Sequence, residues 1–261
     1  MSAKCSLELQ HVKKAWGGLQ VLDDVSMTVS ASAITGLIGP NGAGKSTLFG
    51  AISGNVPLDS GTIRFDNEVL DRLDACERAR RGLLRTFQVP RPFANLSVRA
   101  NLAVAVRDQP GESLSQVFFR PALVASRERE IEARVGEVID TLNLRSVADS
   151  QASQISGGQL KLLELGRLLM TEPRMILLDE PFAGVNPVLA DQLAERIREL
   201  NAGGLGFFIV EHDLGALSRL AATLFAMDNG ALIAHGTPEE VLSDPHVRAA
   251  YVGAEDSRAA A

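Results

Sequence analysis

Gly39-Pro40-Asn41-Gly42-Ala43-Gly44-Lys45-Ser46-Thr47 is the stretch whose reading decides the fold. Gly39, Gly44, Lys45 and Ser46 occupy the fixed places of the phosphate-binding pattern G-x-x-x-x-G-K-[ST]. The apolar run Ala33-Ile34-Thr35-Gly36-Leu37-Ile38 precedes it and reads as a buried strand. Ser46 to Ser53 follows with Leu48, Phe49 and Ile52 at helical spacing, and Gly54 is placed to end the helix. Strand, glycine loop and helix together make an anion cradle. The glycines let the backbone turn its N–H groups inward, and the helix start adds partial positive charge. In such a loop Lys45 reaches the outer phosphates and the Ser46 hydroxyl holds magnesium. A glycine-rich turn that binds nothing is the competing reading, and both flanks argue against it.

Working outward, 261 residues suit one large domain or a domain with a subdomain, and an apolar fraction of 46% supports a sizeable core. A net charge of −6 disfavours a nucleic-acid binder. No apolar run reaches the roughly eighteen residues that a spanning helix needs. The N-terminus lacks the apolar core of a secretion signal, so a cytoplasmic location is expected. Cys5 and Cys76 are far apart, which argues against a zinc site or a disulfide framework. The tail after Gly253 is small and polar and is expected to fray.

Upstream, Leu7 to Val29 alternates, with Val25, Met27 and Val29 on one face of an antiparallel sheet. Gly61 to Phe65 adds a strand, and Asp66-Asn67 is a turn. Trp16, the single tryptophan, lies before Gly17-Gly18. It can stack on a base, but by residue type alone a packing role is the better reading. Downstream, Arg85-Thr86-Phe87-Gln88 ends a short apolar element, and the prolines of Val89-Pro90-Arg91-Pro92-Phe93 forbid regular structure. Ser97 to about Ser150 reads as helical, with the stripe Ile131, Val135, Val138, Ile139 and Leu142 serving packing. Pro121 separates that helix from the apolar patch Val117-Phe118-Phe119. Ser156 caps a helix predicted over Gln159 to Met170, and Gly157-Gly158 expose donors at its start.

Two further strands end in chemistry. Arg174 to Glu180 is a continuous apolar run closing on Asp179, a candidate magnesium ligand, and Glu180, a candidate base for an attacking water. Asn186-Pro187 opens a helix with the stripe Leu189, Leu193, Ile197 and Leu200. Gly206 to Val210 is a buried strand ending in Glu211-His212-Asp213, and its position raises His212 above an ordinary structural histidine. Thr223 to Ala234 forms a hairpin, and Thr237-Pro238-Glu239-Glu240 is a capping box.

Phosphate loop, glutamine loop, Ser-Gly-Gly-Gln, acidic strand and strand-end histidine, in that order, resemble the ATP-binding subunit of ABC transporters. The likeness runs from about Leu7 to Tyr251, and Ile155-Ser156-Gly157-Gly158-Gln159 is close to the family's L-S-G-G-Q signature. A finer similarity, to the ATPases of branched-chain amino acid importers, rests on Arg85 to Gln88, Glu180 to Pro187, Val210 to Asp213 and the ending Gly236 to Gly253. Asn186 stands where most of the family carries aspartate, and Ala31-Ser32-Ala33 replaces the usual Gly-Glu.

The resemblance implies an α/β fold: a phosphate-loop, RecA-like core with an N-terminal antiparallel β subdomain and an inserted helical signature subdomain at about 89–165, within one domain over 1–253 and ahead of a tail at 254–261. It implies ATP and Mg2+ as ligands. Trp16 then stacks on adenine, reversing the packing reading. Gly39, Pro40, Asn41, Gly42, Ala43, Gly44, Lys45, Ser46 and Thr47 wrap the phosphates. Ser46, Gln88 and Asp179 serve magnesium, Glu180 is the general base, and His212 touches the γ-phosphate. Ser156, Gly157, Gly158 and Gln159 face the ATP of a second protomer, in a homo- or heterodimer. Membrane permease subunits dock near Gln88 to Leu96, a periplasmic binding protein acts indirectly, and the chain works at the cytoplasmic face of the membrane. Urea importers and lipopolysaccharide exporters look similar. A soluble ABC-type ATPase acting on ribosomes or DNA fits less well, since the chain has one phosphate loop and no heptad run. An unrelated phosphate-loop kinase or GTPase leaves the Ser-Gly-Gly-Gln helix unexplained.

Overall fold

The computed structural model describes residues 6–86, 91–212 and 214–251. In chain order the elements are β1 (Ser6–Trp16), β2 (Leu19–Ser30), β3 (Ile34–Ile38), α1 (Lys45–Ile52), β4 (Ser60–Phe65), β5 (Glu68–Val69), α2 (Ala75–Arg80) and β6 (Leu83–Arg85). Then follow α3 (Val98–Val104), α4 (Leu114–Phe119), α5 (Pro121–Thr141), α6 (Gly157–Leu169) and β7 (Met175–Asp179). The chain closes with α7 (Pro187–Ala202), β8 (Gly206–Val210), α8 (Leu214–Leu220), β9 (Thr223–Asp228), β10 (Ala231–Gly236) and α9 (Pro238–Ser243).

Two compact units result. The first joins residues 1–88, 173–183 and 197–261, and the second joins 89–172 and 184–196. The helical unit therefore extends past the expected boundary at residue 165 and also takes up the opening turns of α7.

The first unit carries two sheets. One is antiparallel, in the order β2-β1-β4-β5, and the other has six strands in the order β10-β9-β3-β8-β7-β6. In the second, β3 runs parallel to β8 and β9, β7 runs parallel to β6 and β8, and only β10 is antiparallel. All five residues of each of β3, β7 and β8 are buried, as expected for central parallel strands. Val25, Met27 and Val29 are buried on β2, as their alternation predicts. They join a core with Leu37, Leu48, Ile52, Leu177 and Phe208, in which the Phe49 and Phe208 rings lie 5.0 Å apart. Each such side chain contributes about 1.5–3 kcal/mol through loss of apolar surface from water.

The end of α1 depends on a residue that carried no signal in the sequence. Arg78, 4% exposed, donates from Nη1 to the carbonyls of Ala51 and Ile52 at 2.6 and 2.9 Å. Its Nη2 and Nε donate to Leu70 and Leu73 at 2.8 and 3.0 Å. The guanidinium thus supplies the Ile52 carbonyl, which no intrahelical donor reaches, and adds a second donor to that of Ala51, which also accepts the Gly54 N–H. Burial lowers the Arg78 pKa, and the charge of Asp71 partly offsets this.

In the helical unit the residues from Ser97 to Ser150 form several separate helices. Pro121 opens α5 as its first residue, and the preceding apolar patch is itself a helix, with Phe118 and Phe119 exposed. Ile131, Val135, Val138, Ile139 and Leu142 are buried, so the stripe packs. A Cβ on Gly166 of α6 would come within 2.9 Å of Leu102 and Leu142, which shows how closely α3 and the end of α5 approach it. On α7, Leu193 and Ile197 are buried while Leu189 and Leu200 are half-buried.

Replacing Arg78 with Met keeps the apolar stem and leaves the Ile52 and Leu73 carbonyls without their donor, while Leu70 and Ala51 keep the backbone N–H groups of Leu73 and Gly54. Equilibrium unfolding in urea should show a loss of about 3 kcal/mol, since each buried orphaned group costs roughly 1–3 kcal/mol. Unchanged stability would show that water replaces the guanidinium without cost.

Candidate nucleotide site

The loop between β3 and α1 is held open from behind. Gly39 has φ 154°, and a Cβ there would lie 2.2 Å from the Met227 carbonyl oxygen. Gly44 has φ 98° and sits against the Val21 carbonyl at a Cβ distance of 2.5 Å. These two positions admit only glycine, because backbone from β9 and β2 occupies the space a side chain needs. The Gly230 N–H donates to the Ala43 carbonyl at 3.1 Å, which ties the β9–β10 turn to the loop. No side chain caps α1, so its first N–H groups are not taken up by a cap. Asn41, Gly42 and Ser46 face solvent, whereas Lys45 is 6% exposed.

The Lys45 ammonium donates to the Gly39 carbonyl at 2.6 Å and to the Pro40 carbonyl at 2.8 Å. Burial lowers its pKa, while Glu180 and Asp179 oppose the shift. A buried cation held only by neutral carbonyl dipoles at hydrogen-bond distance is one that anionic phosphate oxygens could pair with more strongly.

The acids stand at the carboxyl end of β7. Asp179, 6% exposed, pairs with Arg85 Nη2 at 2.7 Å, and its N–H donates to Thr86 Oγ1 at 3.1 Å. Glu180 turns out of the strand with φ 50°, while its N–H donates to the Val210 carbonyl at 2.9 Å. The side chain then meets His212, with Oε1 3.0 Å from Nε2. Glu211, just before His212 and 2% exposed, accepts the N–H groups of Phe182 at 2.6 Å and His212 at 3.1 Å through its two oxygens. One buried carboxylate thus binds the loop after β7 to the loop after β8. Arg85 and Glu211 were not singled out by the sequence reading. The signal available for Glu211 was an acid directly after an all-apolar strand, where an unpaired charge cannot remain. Gln88 and Asp213 lie outside the described residues.

Trp16 ends β1, ahead of Gly17 and Gly18, and is 51% exposed. Lys14 Nζ lies 4.8 Å from its ring centroid and pairs with Asp59 Oδ1 at 2.7 Å. Asp59 Oδ2 also accepts the Ala15 N–H at 2.6 Å. The hydrogen bond from Lys14 lowers the Asp59 pKa. Asp59 therefore fixes both the backbone before the indole and the cation against it.

In the helical unit, Ser156 caps α6. Its Oγ accepts the Gln159 N–H, and the Gln159 side chain accepts the Ser156 N–H at 2.9 Å, which closes a capping box. The helix starts at Gly157, two residues earlier than expected, because the box places Gln159 at the third helical position. Ser156 and Gly157 are exposed, but Gly158 is buried, since a Cβ there would come 2.3 Å from Leu189. The loop before α3 is organised by Asn101, fully buried, whose amide accepts the Phe93 N–H and donates to the carbonyls of Phe93, Leu96 and Ser97. Phe93 is 49% exposed, with the Arg167 guanidinium 5.4 Å from its ring centroid. Among the described residues no group of three or more His, Cys, Asp or Glu is arranged to hold a metal. No described helix is long and apolar enough to cross a membrane.

Fold and loop together define a phosphate-loop nucleotide hydrolase. Residues 22–183 match the ABC transporter family model, and 231–257 match that of the branched-chain amino acid ATP-binding cassette transporter. The chain is 39% identical over 252 residues to a probable branched-chain amino acid transport ATP-binding protein, LivG, of Methanocaldococcus jannaschii, covering 95% of this chain and 97% of that one. It is 37% identical over 253 residues to the lipopolysaccharide export system ATP-binding protein LptB of Escherichia coli K12, covering 97% and 99%. The solved ADP conformation of MJ1267, an ATP-binding cassette of an ABC transporter, superposes with a TM-score of 0.82 at 36% identity, covering 97% of this chain and all of that one. The chain belongs to the ABC transporter ATP-binding family. It is an ATP hydrolase coupled to transport, and as such it works with the transporter's membrane subunits.

Asp59→Ala should release Lys14 and the Ala15 backbone while leaving the indole in place. Acrylamide quenching of the single tryptophan in nucleotide-free protein should then rise and its emission shift to the red. An unchanged quenching constant would mean that the hairpin alone holds the ring.

Proposed function

We propose that this chain powers import of branched-chain amino acids or related amphipathic solutes through separate membrane subunits, from the cytoplasmic face of the membrane. The carrying observation is the match of residues 231–257 to the branched-chain amino acid cassette model, which falls outside the residues 22–183 matched by the general ABC transporter model. The LivG relative supports it. Lipopolysaccharide export is the second reading, because the LptB relative is nearly as similar.

In this proposal Trp16 stacks on adenine through its free face, and Asn41 to Thr47 wrap the phosphates with the open N–H groups of α1. Lys45 exchanges the Gly39 and Pro40 carbonyls for phosphate oxygens. The Ser46 hydroxyl and Asp179 are hard oxygen donors suited to magnesium, with Gln88 as a further ligand. Magnesium would supply charge neutralisation on the phosphates. Glu180 takes the proton of the attacking water. His212, 3.0 Å from Glu180 Oε1, keeps that carboxylate aimed and contacts the γ-phosphate. Ser156, Gly157, Gly158 and Gln159 face the ATP of a second protomer, so that ATP joins two chains and hydrolysis parts them. The half-exposed Phe93, on the loop ordered by Asn101, faces the membrane subunit.

Glu180→Gln should bind ATP with near-normal affinity yet hydrolyse it roughly 10²–10⁴-fold more slowly, the usual contribution of a positioned base. The trapped protein should elute as an ATP-dependent dimer on size exclusion. Wild-type turnover would remove Glu180 from the role. For Phe93→Asp, the ATPase rate of the isolated chain should persist while cells carrying it lose leucine uptake. Equal loss of both would count against docking at Phe93. Undiminished leucine uptake in cells deleted for the chain would move the assignment to the lipopolysaccharide reading.

A further inference from the structure

The chain's C-terminal segment reaches back to the phosphate loop. Asp244 starts the last described helical turns, 245–251: its Oδ1 accepts the N–H groups of His246 and Val247 at 2.7 and 3.3 Å, and its carbonyl accepts the Arg248 N–H. Val247, 3% exposed, anchors these turns. At their end the Tyr251 hydroxyl accepts the Gly39 N–H at 2.8 Å, across 212 residues of sequence. Burial raises the Tyr251 pKa, so the hydroxyl stays neutral through the ordinary pH range.

Gly39 is where that contact has most leverage. Its peptide enters the loop at φ 154°, crowded by the Met227 carbonyl, and its own carbonyl is one of the two that hold the Lys45 ammonium. We propose that Tyr251 is a positioning residue for ATP binding: its hydroxyl fixes the Gly39 peptide, and through the Gly39 and Pro40 carbonyls it sets where the Lys45 ammonium waits for phosphate. The segment matched by the branched-chain amino acid cassette model is thereby wired to the nucleotide site, and its displacement by a neighbouring subunit would loosen that site. The ring of Tyr251 packs, but the effect on nucleotide belongs to the oxygen.

Tyr251→Phe and Tyr251→Ala separate the two roles in the full-length chain. Equilibrium dialysis should show Tyr251→Phe binding ATP about tenfold more weakly, the size expected when a buried N–H loses its acceptor. The KM for ATP should rise in step while kcat at saturating ATP stays near wild type. In nucleotide-free protein, amide exchange of the peptide containing Gly39 should accelerate. The inference is overturned if Tyr251→Phe matches wild type in affinity and exchange while Tyr251→Ala alone is impaired, which would leave only packing. It rests on ATP binding at this loop. A wild-type chain that bound no ATP would refute that reading, whereas the nucleotide-free exchange measurement tests the Tyr251–Gly39 contact independently.

Discussion

A single buried ammonium organises the nucleotide half of this protein. Lys45 has been drawn out of water and rests on two backbone carbonyls, within the field of two carboxylates. Those carbonyls are available only because the chain turns sharply between β3 and α1. The turn in turn requires glycine where the β2 and β9 backbones press against it. Desolvation raises the cost of the charge, and the nearby acids and dipoles offset it in part.

The acids are arranged by the same logic of compensation. Asp179 is buried and is matched by Arg85 from the adjacent parallel strand. Glu180 is swung into a left-handed backbone conformation, which directs it toward His212 from the next strand of the sheet. Glu211 cannot lie buried as an unpaired charge, and its two oxygens find the N–H groups of the two flanking loops. Parallel strand order β8-β7-β6 is what brings three strand ends together, so the sheet topology is itself part of the site.

The helical unit shows a different division between local and distant causes. Ser156 and Gln159 close their capping box within four residues, and the helix start is legible from them alone. Gly158 is buried against Leu189, a neighbour thirty-one residues away in sequence that no local pattern could announce. Phe93 likewise has its backbone held by Asn101 and its half-exposed ring met by the guanidinium of Arg167, far along the chain.

By itself the amino-acid sequence determined the strand–loop–helix around Lys45, the antiparallel opening, the acidic strand, the histidine strand and the capped Ser-Gly-Gly-Gln helix. Each of these is written in the spacing of residues near one another in the chain, where backbone geometry and hydrophobic period act directly. Only the tertiary structure decided that Arg78 finishes α1, that Arg85 and Glu211 neutralise and tie the acidic loops, that Lys14 and Asp59 brace Trp16, and that Tyr251 holds Gly39. These are pairings between groups far apart in the chain. Their partners are chosen by burial, which leaves a charge or a backbone N–H no water to bind, and burial exists only once the sheets have closed over the core.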